Sequence, residues 1–452
     1  MDTLLAQYPS HRASTGRAGL NSSTRGSHDR FNSNTSKLKT LLSRCTFAVL
    51  VALTCAPAQA IDLVESYNRA RAYDPQFQGA MAERDANQSG AQQAKSAFYP
   101  EGSISRSQVQ TQSTPVQTIT ITQPILSLDR LATYKQAEPR SNFANATYQA
   151  REQELAQRVL KSVTDIIRAK EAAVLNQAKI ANLERQSARA NRLFELGQGT
   201  ITDLRDIQVK YEQAKANQYT LLVTQRAAER QFTSLTGVIP QANDFLLPPD
   251  HKPVPLAPLV EFKTQLEQSN PQLNAARQTE RISELEAERI RGTLLPTVSA
   301  AHSRSTSGGS TISNTGFTLS LPLNAGNYYS SNAAGFNAVR AKEDRRLAEE
   351  KARVELERLY GLVEAGRDAI KINRTAIDSA ELSVEANQKS YDAGVRSNID
   401  VVNSIQVLFE VKNDYVLAVT QQAENFLSLL MLSGGEPALA MGETDKFMLG
   451  QR

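Results

Sequence analysis

Hydrophobic residues recur at a spacing of three and four over most of the chain. The spacing is clear from Val159 to Ile167 and from Leu417 to Leu430, where apolar positions are separated by polar ones. A narrow apolar stripe with much polar surface is typical of helices that pack as coiled coils. The pattern predicts helices at 62–97, 128–195 and 203–236, and again at 259–294, 326–392 and 400–433.

Strict alternation of apolar and polar residues interrupts the helical pattern twice. Residues 118–122 are TITIT and residues 316–321 are GFTLSL, which is the period of a strand with one apolar face. Proline cannot donate to a strand ladder, so Pro124 and Pro322 are expected to end these strands. The alternation and its flanking turns predict four strands, near 102–111, 116–123, 297–305 and 314–321.

The two halves of the chain repeat each other. Three blocks align without gaps at offsets of 196, 198 and 197 residues, and a nearly constant offset indicates an internal duplication. The aligned pairs are 73–105 with 269–301, 118–124 with 316–322, and 193–237 with 390–434. Each copy therefore has the same order of helix, two strands, long helix and helix.

A proline-rich segment separates the copies. Residues 237–258 hold six of the 17 prolines, so this segment is predicted to be an irregular connector. The predicted organisation is an N-terminal extension at 1–36, a signal peptide at 37–60, a first repeat at 61–236, the connector at 237–258, a second repeat at 259–434 and a C-terminal tail at 435–452.

The N-terminal segment has the order of an export signal. Three basic residues precede an apolar run at 45–56, and Ala58-Gln59-Ala60 follows as a small-x-small cleavage pattern. The run is too short for a permanent membrane helix. Residues 1–36 are polar and lack periodicity, so they are predicted to be disordered or to result from a start codon placed too far upstream.

Cysteine usage limits the possible chemistry. Both cysteines, Cys45 and Cys55, lie in the N-terminal segment, so the rest of the chain cannot use thiol catalysis, cysteine-bound metal or disulfides. Lipid attachment at Cys55 is disfavoured, because Thr54 is a poor fit for the small residue usually needed before it. Only His251 and His302 lie beyond residue 60, and neither has a ligand-spaced partner.

Charge gives no signal for nucleic acid. The formal net charge is +4, but the first 60 residues hold seven of the 51 basic and two of the 47 acidic residues. The remainder carries 44 bases and 45 acids and is almost neutral. No phosphate-binding loop, nucleophile elbow or zinc-protease motif occurs. We predict that the protein is not an enzyme and has no catalytic, cofactor-binding or metal-binding residues.

Element lengths restrict the architecture. A helix of about 66 residues spans about 100 Å, which matches the two shorter helices of its copy placed end to end. The economical packing is a long helix beside two short ones, in a hollow helical cylinder. Four strands cannot close a β-barrel, for which about eight is the usual minimum. The predicted fold is mainly α with a small β part, in which three chains pool their strands into a twelve-stranded transmembrane β-barrel.

Three segments carry a family resemblance within this repeated architecture: 196–217, 317–327 and 391–415. Together with the duplication over 61–434, they resemble TolC-like outer membrane efflux and type I secretion channels of Gram-negative bacteria. The resemblance implies a homotrimer in the outer membrane, with a coiled-coil α-helical barrel extending through the periplasm. It also implies a periplasmic adaptor and an inner-membrane ABC or proton-driven transporter as partners, and contact with outer membrane lipid but no nucleic acid.

The resemblance further implies gating residues at the periplasmic tip. The second copy matches a Tyr-x-x-Gly-x-Arg-x-x-x-Asp pattern, and links between such residues hold the family's inner coiled coils closed. One position departs from the family archetype, since Asn403 replaces a second acid and weakens the acidic ring expected from three copies of Asp400. The implied gating and aperture residues are Tyr391, Arg396, Asp400, Asn403, Thr202 and Asp203.

The residues themselves support a second interpretation of the tip. Gly197, Gly199 and Gly394 lie between helical runs, where a sharp reversal needs unusual backbone angles. Asp203 and Asp400 follow these turns at the start of a helix, where a carboxylate can cap unpaired N–H groups. Plain helix capping is therefore the alternative to a gating role.

The predicted function is a passive outer membrane channel-tunnel that conducts drugs or secreted proteins and is gated at its tip. The main alternative is a trimeric coiled-coil adhesin or autotransporter-like surface protein, which should have one C-terminal strand segment and no duplication. A periplasmic adaptor is a further alternative. It should have one helical hairpin flanked by β-rich modules, a pattern that this sequence does not show.

Overall fold

The computed structural model describes residues 62–108, 114–241, 244–248, 251, 253 and 256–450. The chain divides into two units, Met1–Gln59 and Ala60–Arg452, and the described residues all belong to the second unit. The predicted extension at 1–36 and signal peptide at 37–60 lie outside the described residues.

The two halves of the described chain have the same order of elements. The first half contains α1 (Leu63–Tyr73), α2 (Pro75–Lys95), β1 (Glu101–Ser107), β2 (Val116–Leu126), α3 (Leu128–Lys135), α4 (Ala137–Glu195) and α5 (Ile201–Thr236). The second contains α6 (Leu259–Ser269), α7 (Pro271–Gly292), β3 (Thr297–Ser307), β4 (Ser310–Ser320), α8 (Ala325–Asp392), α9 (Asn398–Leu432) and α10 (Pro437–Met448). The mainly helical fold with a small β part is confirmed.

The first helical stretch of each half is broken, where the sequence predicted a continuous one. Asp74 Oδ2 accepts a hydrogen bond from the Phe77 backbone N–H at 3.0 Å, and Asn270 Oδ1 accepts one from Leu273 at 2.8 Å. Each cap precedes a proline at the first helical position, where the missing N–H costs nothing. The caps therefore start new helices at the Asp-Pro and Asn-Pro pairs.

The long helix of the first half is also broken, whereas its counterpart α8 runs for 68 residues. Pro139 lies in the first turn of α4, and a proline ring clashes with the carbonyl four residues earlier. That carbonyl belongs to Lys135, the last residue of α3. Since α8 contains no proline, it continues without a break.

The four strands form one antiparallel sheet in the order β1-β2-β3-β4, so β2 and β3 join the two halves. The register pairs Ile104 with Ile119 and Ala300 with Phe317, which places the apolar side chains on one face. The opposite face carries hydroxyls such as Thr118 and Ser305, whose Oγ atoms are 3.2 Å apart. One face thus carries most of the large apolar side chains together with Arg304, which pairs with Ile119, and His302, which pairs with Ile121. The other face carries mainly hydroxyls, and the sheet edges in the described chain are β1 and β4.

The expectation that Pro124 ends its strand is wrong. β2 continues to Leu126, with a register shift between Pro124 and Leu126. A bulge tolerates a residue that lacks an N–H donor, which explains why the strand passes through this proline. Pro322 does follow the last residue of β4, Ser320.

The long helices pack beside the short ones as the lengths predicted. α4 contacts α2 and α5, and α8 contacts α7 and α9. Contacts of α4 with α7 and α9 join the halves, and the largest apolar cluster includes Val159 and Val163 of α4 and Val419 of α9. None of the helices in the described ranges combines the length and apolar character needed to cross a lipid bilayer.

The connector and the C-terminal segment are anchored to the helices. Phe245 is buried edge-to-face against Phe232, with ring centroids 5.4 Å apart. The His251 ring nitrogens lie 3.0 Å from the Tyr415 hydroxyl and 3.1 Å from the Met448 carbonyl oxygen. The segment predicted as a tail contains α10. The helix is held in place because its buried side chains Met441 and Phe447 belong to the largest apolar cluster.

Candidate functional site

Two equivalent turns end the long helices, and the structure places the predicted tip glycines there. Gly197 has φ 71° and Gly394 has φ 73°, in the left-handed region that favours glycine. Backbone bonds from Gln198 to the Leu193 carbonyl (2.8 Å) and from Val395 to the Ser390 carbonyl (2.9 Å) close the helix ends.

Gly199 favours the turn for a different reason, which is the close approach of the backbone. A Cβ at this position would lie 3.1 Å from the Phe194 nitrogen and 3.2 Å from the Leu193 carbonyl carbon. The turn therefore brings the backbone back onto the end of α4. The three predicted glycines provide left-handed angles at two positions and close approach at the third.

Both predicted acids contact the residue that caps their own helix. Thr200 Oγ1 accepts from the Asp203 N–H at 3.2 Å and lies 2.6 Å from Asp203 Oδ2 and 2.9 Å from Thr202 Oγ1. Asp400 Oδ2 accepts from the Ser397 backbone N–H at 3.1 Å and from its hydroxyl at 2.8 Å, within a reciprocal capping box. The geometry therefore supports the capping interpretation for Asp400, whose carboxylate accepts from a backbone N–H. At α5 the cap is Thr200, and the Asp203 carboxylate accepts from the Thr200 hydroxyl.

The Asp400 carboxylate is held in its ionised form. Hydrogen bonds from the Ser397 hydroxyl and backbone lower its pKa, and the charge of Arg396 lowers it further. An ionised carboxylate also interacts favourably with the N-terminal end of α9. Asp400 is thus a negative charge at neutral pH, whichever role it has.

The contact between the two long helices at the tip is made mainly by residues that the sequence did not predict. Arg189 of α4 forms an ion pair with Asp392 of α8, and its guanidinium carbon lies 5.0 Å from the centre of the Tyr391 ring. Gln186 Nε2 donates to Gln388 Oε1 at 2.7 Å, and Gln388 Nε2 donates to Asp392 Oδ1 at 2.9 Å. We call these five residues the tip clamp.

Tyr391 is the predicted gating residue that the structure brings into this clamp. Burial raises the pKa of its phenol; the Arg189 charge lowers that pKa, and the carboxylates of Asp203 and Asp392 raise it. The phenol is therefore neutral, and it lies close enough to Asp203 to feel its charge. Two of the predicted residues from different copies, Tyr391 and Asp203, thus occupy one region.

Arg396 and Asn403 are exposed in the single chain. Within the described ranges, no carboxylate lies within ion-pair distance of Arg396, whose charge lowers the pKa of Asp400. Sequence reasoning missed Arg189 and Asp392. The sequence feature that could have identified them is their position. Each lies within about two helical turns of a tip glycine, they are on different long helices, and their charges are opposite.

Apolar side chains support the tip beneath the clamp. Ile180 and Leu183 of α4, Ile207 of α5 and Val402 of α9 form a separate buried cluster. This cluster joins the two helical hairpins of the chain. In the part of the chain that the structure describes, no group of three His, Cys, Asp or Glu residues is placed to hold a metal ion.

Comparison with known proteins gives a family match in both halves. The family model described as outer membrane efflux protein matches residues 66–238 and 264–435. The alkaline protease secretion protein AprF of Pseudomonas aeruginosa is 26% identical over 403 residues, covering 81% of this chain and 83% of AprF. The outer membrane protein TolC of Vibrio cholerae is 25% identical, covering 85% of this chain and 94% of TolC.

Solved structures show the same fold. A crystal structure of CusC, studied in connection with folding and transmembrane channel formation, superposes with a TM-score of 0.70. The match is 15% identical and covers 83% of this chain and 93% of CusC.

Proposed function

The chain belongs to the outer membrane efflux protein family, and we propose that it assembles as a homotrimeric channel with a gate at the tip. Channels of this family lie in the outer membrane, extend into the periplasm and conduct exported substrates. One observation carries the proposal: the two family matches coincide with two structural halves that share one amphipathic sheet.

The sheet supports assembly because one chain leaves it open. In the described chain, β1 and β4 are unpaired edges. The face that carries Ile119, Phe317 and Leu319 is exposed, and the Phe317 residue has 80% of its surface accessible. Unpaired edges beside an apolar face favour pairing with further strands. Three protomers would close a twelve-stranded sheet, with the face that carries most of the large apolar side chains toward lipid and the hydroxyl-rich face lining the passage.

The adhesin alternative does not fit this arrangement. It predicts strands in a single C-terminal segment, whereas β1 and β2 lie in the first half and β3 and β4 in the second.

The family is one of channels and not of enzymes. The hydroxyl-rich face of the sheet would line a passage through which a substrate moves without being chemically changed. Energy for transport would come from a partner.

The helical part provides the periplasmic passage. At 68 residues α8 spans about 100 Å, which is long enough to reach far from the membrane. A periplasmic adaptor would dock at the tip, and an inner-membrane transporter, ABC-type or proton-driven, would supply substrate. Splaying of the two tip turns would open the passage.

The gate would be held by the tip clamp together with the residues that the family resemblance implies. The clamp joins α4 to α8 within one protomer, so it resists separation of the two hairpins before any contact between protomers is added. Arg396 and Asn403 are exposed in one chain and Asp400 is half-buried, and all three would be available for contacts across the trimer axis.

For the cargo we propose a secreted protein, on the strength of the similarity to AprF, a protease secretion protein by name. In a strain that lacks its own channel, this chain should restore export of a protease supplied with its transporter and adaptor. Restored drug resistance without protease export would instead assign small molecules as cargo.

The channel proposal is tested by purifying the chain from outer membranes in detergent and measuring its mass and conductance. We expect a trimer that conducts ions in planar lipid bilayers. A stable monomer that stays out of envelope fractions and carries no current would overturn the proposal.

A further inference from the structure

A buried asparagine at the tip has no hydrogen-bond partner. Asn398 is the first residue of α9, directly after the turn that contains Gly394, and it is 2% exposed. Neither its Nδ2 nor its Oδ1 contacts a donor or acceptor in the described chain. The amide therefore loses its hydration without recovering hydrogen bonds from the protein.

The other buried asparagines of the described chain are satisfied. Asn176 donates to the Ala214 carbonyl at 2.9 Å and to Gln218 Oε1 at 2.8 Å. Asn270 donates to the Leu432 carbonyl at 2.7 Å and accepts from Leu273. Asn398 is thus an exception among residues of its own type, and an exception of this kind needs an explanation.

Neighbouring polar groups at the tip do not supply the missing bonds. Ser397 and Asp400 bond to each other within the capping box. Val401 and Val402, which follow in the first turn of α9, are buried and apolar. No polar group of this turn therefore satisfies the Asn398 amide.

Assembly cannot satisfy the amide either. Both polar atoms are already inaccessible within one protomer, and assembly only lowers the exposure of an atom. A second copy could reach Arg396 or Asp400, but not the amide of Asn398. The cost is therefore present in any assembly that keeps this conformation of the tip.

We propose that Asn398 is a positioning residue that destabilises the packed tip and so biases the gate toward opening. When the turns splay, water reaches the first turn of α9 and satisfies the amide, so the cost disappears on opening. The clamp of Arg189 and Asp392 opposes this bias, which leaves the closed tip only marginally favoured. This inference rests on the proposed gate function.

The test replaces Asn398 with an apolar residue in the full-length trimer. Asn398→Leu should lower the frequency of opening in planar bilayers by about tenfold, since it removes the cost from the closed tip alone. Asn398→Val, a smaller residue, should act in the same direction. Asn191→Leu makes the same chemical change at an exposed position of the tip and should leave the frequency unchanged.

A second measurement separates this inference from the channel proposal. Hydrogen exchange of backbone amides in residues 390–405 of the detergent-solubilised trimer should be slower in both variants than in the wild type. Exchange reports tip stability without any need for conduction. Absence of current in every variant would count against the channel, whereas faster or unchanged exchange in both variants would overturn the role of Asn398.

Discussion

Gln422 of α9 inserts its side chain into a notch at Gly366 in the middle of α8. Its Nε2 donates to the Val363 carbonyl at 2.9 Å, and its Oε1 occupies the place that a side chain at position 366 would take. Glycine weakens a helix, so its presence in the interior of α8 calls for a reason, and the notch for Gln422 provides one. The pair sets the register of α8 against α9.

The notch predicts strong coupling between these two positions. Gly366→Ala should destabilise the trimer by about 1–3 kcal/mol, because the added methyl displaces the Gln422 amide. In a Gln422→Ala background the same change should stabilise it, by up to about 1 kcal/mol, because alanine favours helix. Thermal unfolding of the four proteins in detergent measures the coupling.

Gly361 is the matched control for this cycle. It lies in the same helix, and a Cβ there would meet nothing within 4 Å. Gly361→Ala should therefore stabilise the protein regardless of the residue at position 422. Additive effects of Gly366→Ala and Gln422→Ala would show that the notch does not couple them.

The tip clamp predicts easier opening when its ion pair is removed. Arg189→Gln and Asp392→Asn should each raise the open population about two- to fivefold, since a partly exposed pair contributes up to about 1 kcal/mol. The double variant should add little to either single one, because both remove the same contact. Single-channel recording in planar bilayers gives the open fraction.

Lys389→Gln controls for a general loss of charge near the tip. Lys389 pairs with Glu385 on its own helix at 2.6 Å and makes no link to α4. We expect no change in the open fraction for this variant. If Lys389→Gln opens the channel as much as Arg189→Gln does, the loss of a positive charge at the tip, and not the clamp, controls the gate.

The gating and capping interpretations of the predicted acids make different predictions. Arg396→Ser combined with Asp203→Ala should raise single-channel conductance if these residues restrict the closed tip. Thr200→Ala removes the cap of α5 without touching either charge, and loss of a cap costs about 1 kcal/mol. Conductance that stays at the wild-type value in the double variant, together with lower stability in both proteins, would establish capping alone.

The lowered pKa of Asp400 predicts how the α9 cap depends on pH. A carboxylate whose pKa falls on folding adds stability above its ordinary pKa, near 4, and loses it as the pH falls through the lower folded value. The tip should therefore keep its hydrogen-exchange protection from neutral pH down to about pH 4. Below that value, protection should decrease as Asp400 becomes protonated.

Ser397→Ala and Asp400→Asn test the source of this dependence. Removing the Ser397 hydroxyl takes away the largest cause of the shift, so the loss of protection on acidification should be smaller and should end at a higher pH. Asp400→Asn cannot titrate and should remove this component of the pH profile. An acid transition that is identical in all three proteins would assign it to another group.

The sequence by itself determined the elements and their order. Periodicity located the long helices and the strands, the constant offset revealed the duplication, and glycines marked both tip turns. Proline marks the breaks within these elements: Asp74-Pro75 and Asn270-Pro271 start new helices, and Pro139 ends α3. These features are local, because caps, proline and left-handed backbone act on neighbouring residues.

Only the tertiary structure decided which side chains meet. Arg189 and Asp392 are about 200 positions apart, and so are Val402 and the first-half residues of its buried cluster, such as Ile207. Whether two such residues pair, or one is buried without a partner, depends on the rotation and register of helices joined through the sheet and the core. Hydrophobic periodicity specifies the face that a helix buries, but many residues share that face, so the individual contacts follow from packing.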